Sequence, residues 1–230
     1  MNIGIIKFLG TNCDLDVHHA VKLAGGNPEI VWFKNADLSK YDGAIIPGGF
    51  SYGDYLRAGV ISSKTEVIKQ LKSMVDSGKN VLGICNGAQI GLESNFSYGT
   101  LTTNINCRFI CRWVYIRVEN NKTPFTRDYK KGEVLKIPIA HAEGRYYADE
   151  DALQYMYKKN LIVFKYCNED GEITEDSNPN GSIDNIAGVC NENYNCVLLM
   201  PHPERASEKI LGSDDGIKMF KGMIKYRIEQ

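Results

Sequence analysis

The segment Val81-Leu82-Gly83-Ile84-Cys85-Asn86-Gly87-Ala88-Gln89 constrains the fold more than any other part of the chain. A short apolar run stops at a cysteine that has glycine two residues before it and two after it. That spacing is a nucleophile elbow, in which small residues let a strand turn sharply into a helix and push the central side chain outward. Cysteine stands where a serine hydrolase has serine. The turn sets Cys85 at the first backbone N–H groups of the following helix, whose positive end favours a thiolate.

The pattern upstream of the elbow agrees with this. Asn2–Phe8, Glu29–Phe33 and Gly43–Ile46 read as short β-branched strands, separated by amphipathic stretches, and this alternation predicts a parallel sheet flanked by helices. Asn12 is placed to cap a helix carrying Leu15, His18, His19 and Leu23, which ends at Gly25-Gly26. A second helix is expected over Ile61–Asp76. The expected architecture is an α/β open, doubly wound, mostly parallel sheet with helices on both faces, and its site lies at the carboxyl ends of the strands. After Glu93 the strands lengthen. Arg108–Val118, Glu133–Ala140, Leu161–Cys167, Ile186–Cys190 and Cys196–Met200 are expected to form a small antiparallel extension. Residues 168–184 read as a long functional or mobile loop, and a closing helix over Asp214–Ile228 places Ile217, Phe220, Met223, Ile224 and Ile228 on one face.

With 230 residues, 43% of them hydrophobic, the expectation is one domain spanning 1–230. A formal net charge of -1 signals neither a nucleic-acid surface nor an anionic-membrane surface. No apolar run approaches the ~20 residues of a membrane-spanning helix, and the start of the chain reads as neither a basic leader nor a signal peptide. Seven cysteines, an odd number without the density of a disulfide scaffold, point to a reducing cytoplasm. Cys107 and Cys111 lack a matching pair or a neighbouring histidine, so no metal site is expected there. They read as strand residues, and all the cysteines except Cys85 read as small core residues.

A cysteine nucleophile needs a base, and the base needs an orienting group. Of the four histidines, His18 and His19 belong to the first helix, while His141 leaves a strand in a position that could line a site. His202 is the strongest candidate. It follows the strand Val197-Leu198-Leu199-Met200 within Met200-Pro201-His202-Pro203-Glu204-Arg205. The two prolines bias this segment toward extended geometry, in which residues i and i+2 share a side, so Glu204 is expected beside His202. The loop Pro47–Gly59 also follows a strand. Its glycines let backbone N–H groups face an oxyanion, and the Gly49 and Asn86 amides are the expected donor pair. There is no Walker-type or dinucleotide fingerprint.

Taken together these residues resemble the class I, or triad, glutamine amidotransferases, whose signature is Gly-x-Cys-x-Gly-x-Gln with a late His-Pro-Glu. Gly83, Cys85, Gly87 and Gln89 match in register. Pro47–Gly59, Phe109-Ile110-Cys111-Arg112, Ile137–His141, Asn178–Ser182, Asn185–Gly188 and Met200–Ala206 further resemble the stand-alone (PurQ-type) glutaminase subunits of phosphoribosylformylglycinamidine synthase. The resemblance implies a flavodoxin-like fold, a Cys85–His202–Glu204 triad, a substrate-pocket role for Gln89, and glutamine hydrolysis through a cysteinyl thioester. It also implies delivery of ammonia, for purine synthesis, to a large ATP-dependent (PurL-type) subunit with a small PurS-type companion. No cofactor is then expected on this chain, with ATP and Mg on the partner. Ala88 and Gly91 stand where the family often has bulkier residues, commonly Phe at the first, and Thr103-Asn104 replaces an Arg-Asn pair. Two other readings are a triad glutaminase serving a different synthetase and, more remotely, a noncatalytic redox sensor on the same fold. The first is disfavoured by the Phe50–Gly59 and Asn178–Ser182 strings, and the second has no use for His202 and Glu204.

Overall fold

The computed structural model describes residues 1–226. In chain order its elements are β1 (Asn2–Lys7), α1 (Asp14–Leu23), β2 (Asn27–Trp32), β3 (Gly43–Ile46), α2 (Val67–Asp76), β4 (Asn80–Ile84), α3 (Asn86–Glu93), β5 (Thr100–Thr102), β6 (Ile110–Val118), β7 (Val134–His141), β8 (Arg145–Tyr147), α4 (Glu150–Lys158), β9 (Ile162–Cys167), β10 (Ile186–Cys190), β11 (Cys196–Leu199) and α5 (Ile217–Lys225). Nine strands form one sheet in the order β2-β1-β3-β4-β11-β10-β9-β6-β7. The first five of that order are parallel to one another, and the remaining four continue the sheet antiparallel. β5 and β8 pair separately and antiparallel.

This layout follows from the apolar runs. β3, β4 and β11 are buried along their whole length, as inner strands covered on both faces must be, while β2 at the edge is mostly exposed or half-buried. The chain runs from β1 outward to β2, then returns to β3 on the other side of β1. That reversal is a topological switch point, where the loops leaving the strand ends part to form a crevice.

Several local expectations differ from what is observed. Cys13, not Asn12, takes the N-cap position of α1, and no side chain caps that helix. The Asn12 amide is drawn instead to the Gly48 carbonyl at 3.3 Å. Leu15 and Leu23 are exposed, and α1 buries Asp14, Val17, Ala20 and Val21. Residues 61–76 are not one helix, because Thr65 is extended (φ −82°, ψ 156°) between a short turn at Ser62–Lys64 and α2. Its hydroxyl bonds the Ser62 carbonyl at 2.6 Å, a local contact that competes with helix propagation. The Cys196 strand belongs to the parallel half of the sheet, paired with β4. Cys107 lies in a turn, and both it and Cys111 are exposed. The end of the expected closing helix, including Ile228, lies outside the described residues.

The glycines around the elbow act through close approach. A Cβ on Gly87 would fall 1.9 Å from the Ile46 carbonyl oxygen, and one on Gly83 would fall 2.7 Å from the Gly87 oxygen. Neither has positive φ; the left-handed residue is Cys85 itself, at φ 51°. Leu198 of β11 fills the room left by Gly91, where a Cβ would meet Leu198 Cδ2 at 2.5 Å. The small residues under the elbow are therefore matched by a large one on the neighbouring strand.

Gly87→Ala is expected to force α3 away from β3, at a cost of ~1–3 kcal/mol for an overpacked core site. For a chain of this size that lowers the thermal midpoint by roughly 5 °C. Calorimetry of the variant against the parent protein measures it, and an unchanged midpoint would contradict the close-approach account.

Candidate active site

Cys85 lies between β4 and α3 with φ 51° and ψ −106°, a left-handed conformation that a residue with a side chain rarely adopts. Strain of this kind costs ~1–3 kcal/mol and persists only where its surroundings hold it. Both sides of the Cys85 backbone are held. Its amide donates to the Leu199 carbonyl at 2.8 Å, and its carbonyl accepts from the amides of Ala88 (2.9 Å) and Gln89 (3.1 Å). The thiol lies 3.5 Å from the Ala140 carbonyl oxygen.

His202 leaves the end of β11, and its Nδ1 lies 2.5 Å from Glu204 Oε1. The expected meeting occurs, though not in an extended segment. Pro203–Ala206 forms a short turn of 3-10 helix with Pro203 at its start, where a missing N–H costs nothing. Both side chains are almost fully buried. Burial works against a charged imidazole, but the Glu204 carboxylate, followed by the thiols of Cys85 and Cys13, outweighs it and holds His202 well above its ordinary range. His202 is thus an imidazolium at neutral pH. Its Nε2 and Glu204 Oε2 have no hydrogen-bond partner.

A cavity of about 240 Å³ opens beside these groups, a size suited to an amino-acid-sized ligand. Cys85, His202, Gly49 and Gln89 line it, while Glu204 stands behind the imidazole. Gly49 has φ +150°, and a Cβ there would lie 2.6 Å from the Gly10 oxygen, so only glycine fits. Among the described residues no protein acceptor takes the Gly49 or Asn86 amide. The Asn86 side chain accepts from the Ser51 amide at 3.1 Å and donates to Gln89 Oε1 at 2.8 Å. Gln89 Nε2 donates in turn to the Glu143 carbonyl at 2.7 Å.

Cys13, Asp54 and Glu143 also line the cavity and were not among the sequence candidates. Arg205 Nη2 donates to the Cys13 sulfur at 3.0 Å. Cys13 follows a parallel strand, as Cys85 and His202 do, and that position was the available signal. Asp54 and Glu143 bring two carboxylates to one wall. Desolvation and then the charge of Glu143 push Asp54 up to about 6. His141 also lines the cavity. Burial, then the charge on His202, lowers it to about 3, so it stays neutral, with Nδ1 at 3.1 Å from Asn104 Oδ1. His18 and His19 do not line the cavity, and His19 meets Glu208 at the surface. Among the described residues one group has donors close enough to hold a metal ion, namely Cys13, His202 and Glu204.

Comparison with known proteins gives a consistent picture. The family described as the CobB/CobQ-like glutamine amidotransferase domain matches residues 1–226. The chain is 77% identical over 226 residues to phosphoribosylformylglycinamidine synthase subunit PurQ of Methanocaldococcus jannaschii, covering 98% of each sequence. It is 51% identical to the subunit of the same name in Methanosarcina barkeri, covering 100% of this chain and 99% of that one. Among solved structures it superposes on a chain of the PurLQS structure from Thermotoga maritima with a TM-score of 0.86, at 39% identity and 98% coverage of both chains. A Thermotoga maritima glutamine amidotransferase of 14% identity, TM-score 0.61, shares the fold, covering 100% of this chain and 99% of that one.

The neutral, buried state of His141 sets a pH dependence. An unfolded histidine titrates near 6.5 and this one near about 3, so between those values the unfolded chain binds one more proton. Stability contributed by His141 is therefore lost as pH falls below 6.5, at ~1.4 kcal/mol per pH unit. Urea unfolding at about pH 7 and about pH 5 should show the parent losing roughly 1–2 kcal/mol more than His141→Gln. Equal losses would contradict the assignment.

Proposed function

The chain belongs to the CobB/CobQ-like glutamine amidotransferase family, and from that membership we propose its particular work. It is the glutaminase subunit of phosphoribosylformylglycinamidine synthase, releasing ammonia from glutamine for a synthetase partner in purine biosynthesis. The observation that carries this reading is the meeting of Cys85 with a buried imidazolium–carboxylate pair at the mouth of a small cavity. The chain acts as one amidotransferase domain.

In this reading the Cys85 thiolate, paired with the His202 imidazolium, attacks the side-chain amide carbon of glutamine. The tetrahedral oxyanion meets the amides of Gly49 and Asn86, which no protein group occupies among the described residues. His202 donates the Nε2 proton to the departing amine, which leaves as ammonia. A γ-glutamyl thioester remains on Cys85. The now neutral imidazole takes a proton from water, the hydroxide attacks the thioester, and collapse releases glutamate and restores the Cys85 thiolate beside the imidazolium. Glu204 fixes the tautomer through Nδ1 and supports the cation. Gln89 shapes the pocket by tying α3 to the Glu143 loop. Asp54 and Glu143 face the substrate's α-ammonium, which balances two carboxylates that among the described residues form no ion pair with Arg205, the guanidinium lining the cavity, which meets Asp16 instead.

The partners are a PurL-type synthetase subunit, which supplies ATP and Mg, and a PurS-type companion. Supporting a docking face at the mouth, Phe50 and Phe109 line the cavity while more than half exposed, and Tyr55 and Leu56 beside them are 75% and 92% exposed. This chain needs no cofactor of its own for the hydrolysis. Among the described residues no helix is long and apolar enough to cross a membrane. All seven cysteines are free, which supports a cytoplasmic setting.

In the reconstituted synthetase, Cys85→Ala is expected to abolish glutamine-dependent product formation while ammonia-dependent formation persists. Retained glutamine use would overturn the assignment. Asp54→Asn is expected to raise KM for glutamine roughly tenfold, the size of one lost charge-assisted contact, with a smaller effect on kcat. The same variant should lose preference for glutamine over its analogue lacking the α-amine. A preserved preference would remove Asp54 from the α-ammonium site.

A further inference from the structure

Asn104 belongs to no strand or helix and does not line the cavity, yet it is 1% exposed and every polar atom it has is bonded. Its Nδ2 donates to the carbonyls of Arg108 and His141, both at 2.9 Å. Its Oδ1 accepts the Gly144 amide at 3.0 Å and faces His141 Nδ1 at 3.1 Å. The backbone adds two more contacts, the Asn104 amide to the Ala142 carbonyl at 2.9 Å and the Cys107 amide to the Asn104 carbonyl at 2.8 Å. A carboxamide has two N–H donors and two lone pairs, so this side chain is saturated. Most of its contacts land on residues 141–144, the segment that brings Glu143 to the cavity wall. They also fix the His141 tautomer. Carbonyls only accept and a backbone amide only donates, so the Asn104 carboxamide cannot be turned the other way round. His141 Nδ1 therefore faces an acceptor and carries the ring proton. The ring is folded over Gly144, where a Cβ would lie 2.3 Å from both Nδ1 and Cε1.

We propose that Asn104 is a positioning residue for glutamine binding, which clamps residues 141–144 from behind and so sets where the Glu143 carboxylate stands beside Asp54 to take the substrate's α-ammonium. Asn104 touches no reacting atom and acts through the loop. The Glu143 carboxylate accepts one amide, that of Ala58 at 3.1 Å, and the Glu143 carbonyl accepts Gln89 Nε2 at 2.7 Å. The rest of its hold comes through the backbone on either side, where Asn104 binds the His141 carbonyl, the Ala142 carbonyl and the Gly144 amide. A second brace lies behind the first. Asn180 Nδ2 donates to the Gly144 carbonyl at 2.7 Å, and the Ile105 amide, next to Asn104, donates to the Asn180 carbonyl at 3.0 Å. Replacing Asn104 by an apolar side chain would leave the Gly144 amide, His141 Nδ1 and two carbonyls buried without those partners. The segment would then move to find water or one another, and Glu143 would move with it. Cys85, His202 and the Gly49 and Asn86 amides are held by other contacts, so the chemical step is not engaged. The role in binding rests on the proposed α-ammonium site at Asp54 and Glu143; the clamp and the tautomer do not.

The test uses the whole chain, alone and in the reconstituted synthetase. With isotope-labelled histidine ring nitrogens, NMR of the wild-type chain at neutral pH should show His141 protonated at Nδ1 and bare at Nε2, the signals being assigned by their absence from His141→Gln. Asn104→Leu should lose that fixed tautomer. In the synthetase, Asn104→Leu should raise KM for glutamine ~10-fold with kcat largely unchanged, and should lower the preference for glutamine over its analogue lacking the α-amine by a similar factor. Ammonia-dependent turnover should match wild type, which shows that the complex has assembled. Asn104→Ser, whose short hydroxyl cannot bridge the same partners, must show the same split between KM and kcat and decides the matter should Asn104→Leu fail to fold. A wild-type His141 protonated at Nε2 would overturn the clamp. A loss of kcat with unchanged KM would overturn the positioning role. A selective wild type with an equally selective Asn104→Leu would overturn that role alone, whereas a wild type indifferent to the α-amine would overturn the α-ammonium site and the role together.

Discussion

The contact between the Gly87 backbone and the Ile46 carbonyl holds the rest of the site in place. It lets α3 sit against the end of β3, closer than any side chain would permit. An eight-residue helix has little stability of its own, and α3 draws its stability from burial, since every residue from Asn86 to Leu92 is buried. Its first turn supplies the amides that bond the Cys85 carbonyl, while β11 supplies the carbonyl that binds the Cys85 amide. A left-handed cysteine between a strand and a helix is unfavourable by itself. Here it is fixed by both neighbours, and its sulfur is directed toward the crevice rather than the core.

Electrostatics then separates the two histidines that share the crevice. His202 has Glu204 against one nitrogen and thiols near the other, so it holds a proton despite complete burial. His141 has only the amide of Asn104 and lies in the field of His202, so it remains neutral. Two identical side chains are thereby driven to opposite protonation states by what they touch. Such a division marks an acid and a spectator rather than two interchangeable bases. Asp54 and Glu143 form a third element, in which burial and then the charge of Glu143 raise the cost of ionising Asp54, a cost that a cationic ligand would relieve.

The parts of this arrangement legible in the sequence are those that repeat a local rule. Gly83, Cys85 and Gly87 specify the elbow because the turn is made within five residues, and the apolar runs Ile45-Ile46 and Val197–Leu199 specify inner strands because both of their faces are covered. His202 and Glu204 meet in a turn where the prolines predict an extended strand, and the pairing is the same because both conformations bring residues i and i+2 within reach. What could not be read depends on contacts between distant segments. Asn12 lies one residue before the N-cap, which Cys13 takes, where the amides of both residues donate to Gly48 of a distant loop. Leu15 and Leu23 have helical spacing, yet the sheet lies on the Val17, Ala20 and Val21 side of α1. Asp54 and Glu143 are 89 positions apart in the sequence and meet only because two loops fold over the same strand ends.

Those two loops are joined to the nucleophile through Glu143. Its carboxylate accepts the Ala58 amide at 3.1 Å, and its backbone carbonyl accepts Gln89 Nε2 at 2.7 Å. The next residue, Gly144, is held by Asn104 through its amide and by Asn180 through its carbonyl. Residues 168–184 are therefore tied into the site, and Asn178, Asn180 and Ser182 hold that loop closed by bonding one another and Gly144. The loop carrying Tyr55 and Leu56 has only part of such support, and it contains left-handed backbone at Tyr52, Asp54 and Leu56. Leu56 in that conformation with its side chain in water is costly without a compensating contact. A partner surface covering Tyr55 and Leu56 would provide one. It would also fix Ala58, and through it the Glu143 carboxylate, against the wall that faces Cys85. A short chain of hydrogen bonds thus gives subunit docking a physical route to the substrate pocket without any movement of the elbow.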